Sequence, residues 1–175
     1  MHYITSDEHM GHRNIIKYCN RPFDDVQEMD ETIIERHNEV VRDGDTVIHA
    51  GDYTLQPTKE RAEQYIRRLN GHHIFISGSH DRWLGKNHPI QIYERKFNGI
   101  LFVVCHYALH VWAQSHYGSY MLYGHSHSGL SHTDKEPIGK VLDVGVDGHN
   151  FYPWSVDEII EHMKTKPDNW NLLKR

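Results

Sequence analysis

Five short clusters hold most of the side chains here that could do chemistry. They are Asp7-x-His9, Gly51-Asp52, Gly78-Ser79-His80-Asp81, His106 and Gly124-His125-Ser126-His127. Imidazole nitrogen combined with carboxylate oxygen, and no thiolate pair, suits Mn, Fe, Zn, Ni or Co better than a structural zinc knot. The chain has 17 histidines spread along its length, so a terminal tag does not explain them. His37, His72, His110 and His162 read as surface or helix-end residues. The clustered Asp and His residues exceed what one tetrahedral ion needs. They fit two adjacent divalent ions sharing a carboxylate, and Gly51 before Asp52 lets the backbone turn and bring that carboxylate inward.

The elements that must position these residues alternate. His2 to Thr5 reads as a first strand. Val26, Met29, Ile33, His37 and Val40 recur at helical spacing, which predicts a helix over 26–41 with Asp24 or Asp25 as its cap. Thr46–His49 reads as a strand, Pro57–Leu69 as a helix stopped by Asn70-Gly71, and His73–Ile76 as a third strand. Asn98-Gly99 between 93–97 and 100–105 is a hairpin signal. Ser119–Tyr123 and Val141–Val146 read as further strands. Ser155-Val156-Asp157-Glu158 is a capping box opening a last helix. The first half is therefore βαβαβ and the second mostly β, a layered α/β architecture.

Ligands in such folds gather at the carboxyl ends of strands. Taken singly, an Asp or His there is a turn-former or a satisfied polar residue. Five successive strand ends carrying them point to one site. Asp7-x-His9 and His125-x-His127 also share an alternation that, on extended backbone, puts both side chains on one side.

Composition narrows the classes. The length predicts one domain, residues 1–175, with a real core. A net charge of −5 with no basic run argues against extensive duplex nucleic-acid binding. The two cysteines, Cys19 and Cys105, form no CxxC pair, which excludes a cysteine-rich zinc module and favours a reduced, cytoplasmic protein. No leader and no membrane span is expected.

In their order, Asp7-x-His9, Gly51-Asp52, Gly78-Ser79-His80-Asp81, His106 and Gly124-His125-Ser126-His127 resemble the signature of the calcineurin-like metallophosphoesterases. The run from Asp7 through His12, Asn14 and Arg21-Pro22-Phe23 resembles small, compact members. The resemblance implies a four-layered α/β/β/α sandwich with two mixed β-sheets. It implies that Asp7, His9, Asp52 and His127 hold one ion, and that Asp52 bridges to a second ion held by Ser79, His106 and His125. Manganese is the foremost expectation. It places His80 near the substrate, with Asp81 orienting its ring. Position 79 departs from the family pattern, where Asn is usual. Ser79 reaches the second ion directly or through water, or that ion is weak or lost, or the position has been altered.

The activity so implied is hydrolysis of phosphodiester or phosphomonoester bonds. Two ions about 3.5–4 Å apart clamp the phosphoryl group, and a bridging hydroxide attacks phosphorus. A protonated His80 would serve the leaving oxygen. His12 is a substrate-binding candidate, Arg21 a loop anchor, and Arg82 and Lys86 rim cations. A small or flexible substrate suits a chain with few residues to spare for a cap. Two alternatives stand beside this reading. One is a non-catalytic metal-binding interaction module, motivated by Ser79. The other is a nuclease, which needs a basic channel or an aromatic stacking platform that the sequence does not concentrate.

Overall fold

Alternate side chains along a strand face opposite ways, and here that alternation builds two cores. The computed structural model describes residues 1–85 and 90–172; Lys86 lies outside them. In β5 (Ile100–Cys105), β6 (Tyr120–Tyr123) and β7 (Val141–Asp143), Phe102, Val104, Tyr120, Leu122 and Leu142 face inward. Val103, Cys105, Met121, Tyr123 and Val141 face outward. Across the interior lie Ile4 of β1 (His2–Thr5), Ile48 of β2 (Thr46–His49) and Ile74 of β3 (His72–Phe75), which pair in one register.

The result is two mixed four-stranded sheets packed face to face. One runs β3-β2-β1-β8, where β8 (Trp154–Ser155) is antiparallel to β1. The other runs β4-β5-β6-β7, where β4 (Ile92–Phe97) forms the Asn98-Gly99 hairpin with β5. The outer face of the first sheet is covered by α1 (Arg13–Tyr18), α2 (Val26–Val40) and α3 (Lys59–Ile66), through Ile15, Met29, Ile33, Ile34 and Ala62. Over the second sheet, Trp112 packs from the segment between β5 and β6, with Ala108, Leu109 and Ala113 against it. That segment carries one short 3-10 turn, Ser115–Tyr117, rather than a long helix. The last helix, α4 (Val156–Met163), closes the inter-sheet core with Val156, Ile159 and Met163.

Local chemistry sets the boundaries. Asp25 caps α2 by accepting from the Gln27 and Glu28 amides. Thr58 caps α3, which ends at Ile66 and passes through turns to Leu69. Ser155 and Glu158 form the expected capping box. The strand expected over 141–146 stops at Asp143 and passes into a 3-10 turn at Val146–His149, because Asp143 turns its carboxylate back onto the Gly145 amide. His37 is in the last turn of α2, the helix-end half of what was expected of it. It is not at the surface but buried on α2, held to the Asn70 carbonyl at 2.9 Å. Cys19 and Cys105 are free thiols. No helix among the described residues is long and apolar enough to cross a membrane.

Candidate metal centre

The ends of the two sheets meet over a single carboxylate. Asp52 follows β2, and its backbone is tied to the loop after β1 by the His9 amide donating to the Asp52 carbonyl at 3.0 Å. The Asp7 amide likewise donates to Gly51. From the second sheet, the His125 amide donates to both carboxylate oxygens of Asp7, at 2.9 and 3.0 Å. The Gly124 amide donates to the His106 carbonyl. Asp7, His9, Asp52 and His106 are almost wholly buried, while His125 is exposed.

Among the described residues two groups of side chains at Asp52 could each hold an ion, a third overlaps both, and a fourth, Cys19, His127 and Asp147, shares His127 with the first. Asp7, His9 and His127 converge, as do Asp52, His106 and His125. His9, Asp52 and His80 also converge. Nε2 of His9 lies 3.7 Å from Asp52 Oδ2, and Nε2 of His106 lies 3.4 Å from the same oxygen. Both nitrogens are buried and without a hydrogen-bond partner. A buried imidazole nitrogen left bare is costly in a folded protein. Two of them beside one carboxylate oxygen are what a pair of cations sharing Asp52 would satisfy. The donor chemistry therefore fits divalent ions.

The electrostatics agree. Burial pushes the Asp7 carboxyl well above its ordinary range, and the nearby Asp143 and Asp52 carboxylates push it further. Burial also favours the neutral ring of His9, which is lowered to about 2. A neutral imidazole with a free lone pair is the form that ligates metal. Burial raises Asp52, but the neighbouring His106 and His9 rings and the His80 amide outweigh it and hold that carboxyl low.

Convergence does not arise from extended backbone. Asp7, His9, Asp52, His125 and His127 all have positive φ, between 46° and 70°. Both pairs curl in the left-handed region instead of alternating along a strand. Asp and His tolerate that region better than bulkier residues, at a cost of order 1 kcal/mol each. Close packing holds the curl. Gly51 sits at φ 100°, and a Cβ there would stand 2.5 Å from His106 Nδ1. At Gly78 a Cβ would stand 2.2 Å from Asp52 Oδ1, and at Gly124 2.0 Å from Ser6 Oγ.

Ser79 does stand at the centre. Its hydroxyl donates to Asp52 Oδ2 at 3.0 Å and lies 3.3 Å from Oδ1. The His80 amide donates to Asp52 Oδ1 at 2.8 Å, and its side chain is 41% exposed with Nε2 3.9 Å from Oδ2. Asp81 does not orient the His80 ring. Its carboxylate is turned beneath the loop, where it accepts from the amides of Asp52, Tyr53 and Gly78 and from the Trp83 indole. It braces the Asp52 backbone instead. His12 lies beside His9, with the two Nδ1 atoms 3.2 Å apart, and its ring stands 5.8 Å from that of His80. Arg82 is exposed and helps line a 490 Å³ cavity next to Ser79.

Asp147 and Glu8 were not among the candidates. Asp147 accepts from His127 Nδ1 at 2.7 Å, which leaves Nε2 as the free lone pair. Arg21 clamps Asp147 with two bonds of 2.8 Å and also reaches the Glu8 carbonyl at 3.0 Å and that of Asp7 at 2.6 Å. Burial raises Asp147, but the bonds from His127 and Arg21 win and lower it to about 2. Its position after β7 obeys the same strand-end rule that found the others. Glu8 points away from the centre and bonds His49 Nδ1 at 2.5 Å, and His49 Nε2 meets His73 Nδ1 at 3.0 Å.

Comparison with known proteins places the arrangement in context. The family model described as calcineurin-like phosphoesterase matches residues 3–175. An uncharacterized protein of Methanocaldococcus jannaschii is 37% identical over 164 residues, covering 91% of this chain and 89% of its own length. The gene 66 protein of Mycobacterium phage L5 is 33% identical over 104 residues, covering 58% of this chain and 48% of its own. Among solved structures, a protein of unknown function from Aquifex aeolicus superposes with a TM-score of 0.70 at 20% identity, covering 93% of this chain and 98% of that one. That likeness speaks to the fold alone.

Proposed function

Because this chain belongs to the calcineurin-like phosphoesterase family, we propose that it hydrolyses phosphoesters with a pair of divalent ions at the Asp52 centre. The observation that carries the reading is the pair of bare, buried Nε2 atoms of His9 and His106 beside one oxygen of Asp52. Asp7, His9, Asp52 and His127 would hold one ion. Asp52, His106 and His125 would hold the other, with Ser79 bonded to the shared carboxylate. Manganese is the first ion to test, since the donors are nitrogen and oxygen only. Such ions supply positive charge for the phosphoryl oxygens and acidify water near neutral pH.

The chain's own residues do the rest. Asp147 fixes the tautomer of His127, and Arg21 fixes Asp147. Asp81 holds the Asp52 turn in place. His80 is a half-exposed imidazole beside Asp52, placed to meet the substrate. In protonated form it gives its proton to the leaving oxygen. His12, beside His9 and His80, steadies the bound ester.

His80 also converges with His9 and Asp52, so a ligand role competes with the acid role. The test is His80→Ala, assayed for hydrolysis of a phosphodiester and for bound manganese on the same sample. The acid role predicts turnover lowered about 10²–10⁴-fold with metal content retained. Loss of metal together with turnover would make His80 a ligand instead.

A further inference from the structure

Two large aromatic side chains stand exposed at the rim of the centre, one against His12 and the other against His106 and His125. Tyr18, 75% exposed, lies at the end of α1 with its ring 6.4 Å from that of His12. His12 in turn adjoins His9 and His80. Tyr107, 48% exposed, follows His106 directly and stands 4.8 Å from the rings of both His106 and His125. The chain of rings therefore runs Tyr18, His12, His9 and His80, then across Asp52 to His106, His125 and Tyr107. These edge contacts cover only part of either tyrosine. Leaving such rings in water forgoes the burial that would otherwise favour them, so their open surface is available to a ligand.

We infer that the site takes a phosphodiester carrying a flat aromatic base on each side, a dinucleotide or short single strand, with Tyr18 and Tyr107 as the two stacking surfaces. The inference rests on the phosphoesterase reading and names its substrate. Stacking tolerates any base, because every base has a π face. The phosphate between the two bases lies over Asp52, where the ion-holding groups converge. Arg13 and Lys17, exposed on the helix that carries Tyr18, face the strand's other phosphates with positive charge. The net charge of −5 still weighs against a long duplex. The aromatic platform was illegible in the sequence because Tyr18 and Tyr107 are far apart in the chain and only the fold brings them to one rim.

The test compares two substrates on the manganese-loaded protein: thymidylyl-thymidine and the same diester with both bases replaced by hydrogen. Each stack is expected to contribute about tenfold, so the dinucleotide should win by about a hundredfold in kcat/KM. Tyr18→Ala and Tyr107→Ala should each cut that ratio about tenfold through KM, and the Phe variants should restore it. General damage to the centre lowers both substrates and leaves the ratio alone. Binding of the two compounds to the metal-free protein, by isothermal titration, should show the same preference and the same loss in the Ala variants. Equal turnover of both diesters overturns the stacking inference and leaves the phosphoesterase reading standing. No turnover of either contradicts the phosphoesterase reading, and the binding ratio then decides the stacking alone: equal affinities overturn it.

Discussion

At the scale of single residues, the centre is built from backbone that most side chains avoid. Five of the six residues proposed to hold metal sit at positive φ, and hydrogen bonds between loops hold them there. Ser79 is the residue where that plan is thinnest. Its hydroxyl already bonds the Asp52 carboxylate, and a neutral hydroxyl is a poorer ligand than an amide oxygen. Ser79→Asn should therefore tighten the weaker of two manganese sites about tenfold, read from calorimetric titration. Unchanged binding would show that residue 79 does not limit the site. Asp147→Asn should weaken manganese binding about 10–100-fold by loosening the His127 tautomer, with circular dichroism confirming a folded chain. Affinity equal to the parent would remove Asp147 from the metal shell. Asp7, His9, Asp52, His106, His125 and His127 were legible because each ends a strand and each belongs to a motif. Asp147 lies in the 3-10 turn beyond the end of β7 and belongs to no motif, and so it escaped. The role expected of Asp81 failed for another reason: sequence adjacency to His80 says nothing of direction, and its carboxylate turns inward to five neighbouring donors.

At the scale of elements, periodicity located β1, β2, α2, the Asn98-Gly99 hairpin and α4 to within a residue or so. It missed α1 and β8. These are a six-residue helix and a two-residue strand, too short for a pattern to emerge. It left His37 as a surface or helix-end residue although it recurs at helical spacing with Met29 and Ile33, since a histidine at a buried helical position looks no different in sequence from an exposed one. The structure instead buries His37 of α2 against His73 of β3, with His49 and Glu8 behind them. Burial lowers His37 to about 4, and burial together with the neighbouring His49 and His37 lowers His73 to about 3. In the unfolded chain both rings titrate near 6.5. Below that pH the unfolded state takes up protons that the folded state refuses. The stability held by these neutral rings is thus full above about pH 6.5 and drains away as pH falls toward 4. The effect is about 2–3 kcal/mol for His37 alone, as an upper figure. Urea denaturation of metal-free protein between pH 7.5 and 4.5 should show it, and His37→Gln should flatten the slope. A slope unchanged by that substitution would mean that His37 is free to protonate in the fold.

At the scale of the whole molecule, two sheets packed through one core bring their strand ends to the same place, and that is why loops far apart in sequence share one carboxylate. The β1 and β2 ends deliver Asp7, His9 and Asp52, while the β5 and β6 ends deliver His106, His125 and His127. The α/β class followed from the strand–helix rhythm, whereas the layers came only with the resemblance. The pairing of the second sheet did not follow from that rhythm, because parallel neighbours such as β6 and β7 are joined by long irregular chain with no pattern of its own. The account stands on the two-ion centre, so its most direct test is elemental analysis of protein loaded with Mn²⁺ and washed, with diester hydrolysis assayed on the same sample. About two ions per chain with turnover is the predicted result. One ion or fewer without turnover would contradict it and leave a metal-binding interaction module as the better description of this fold.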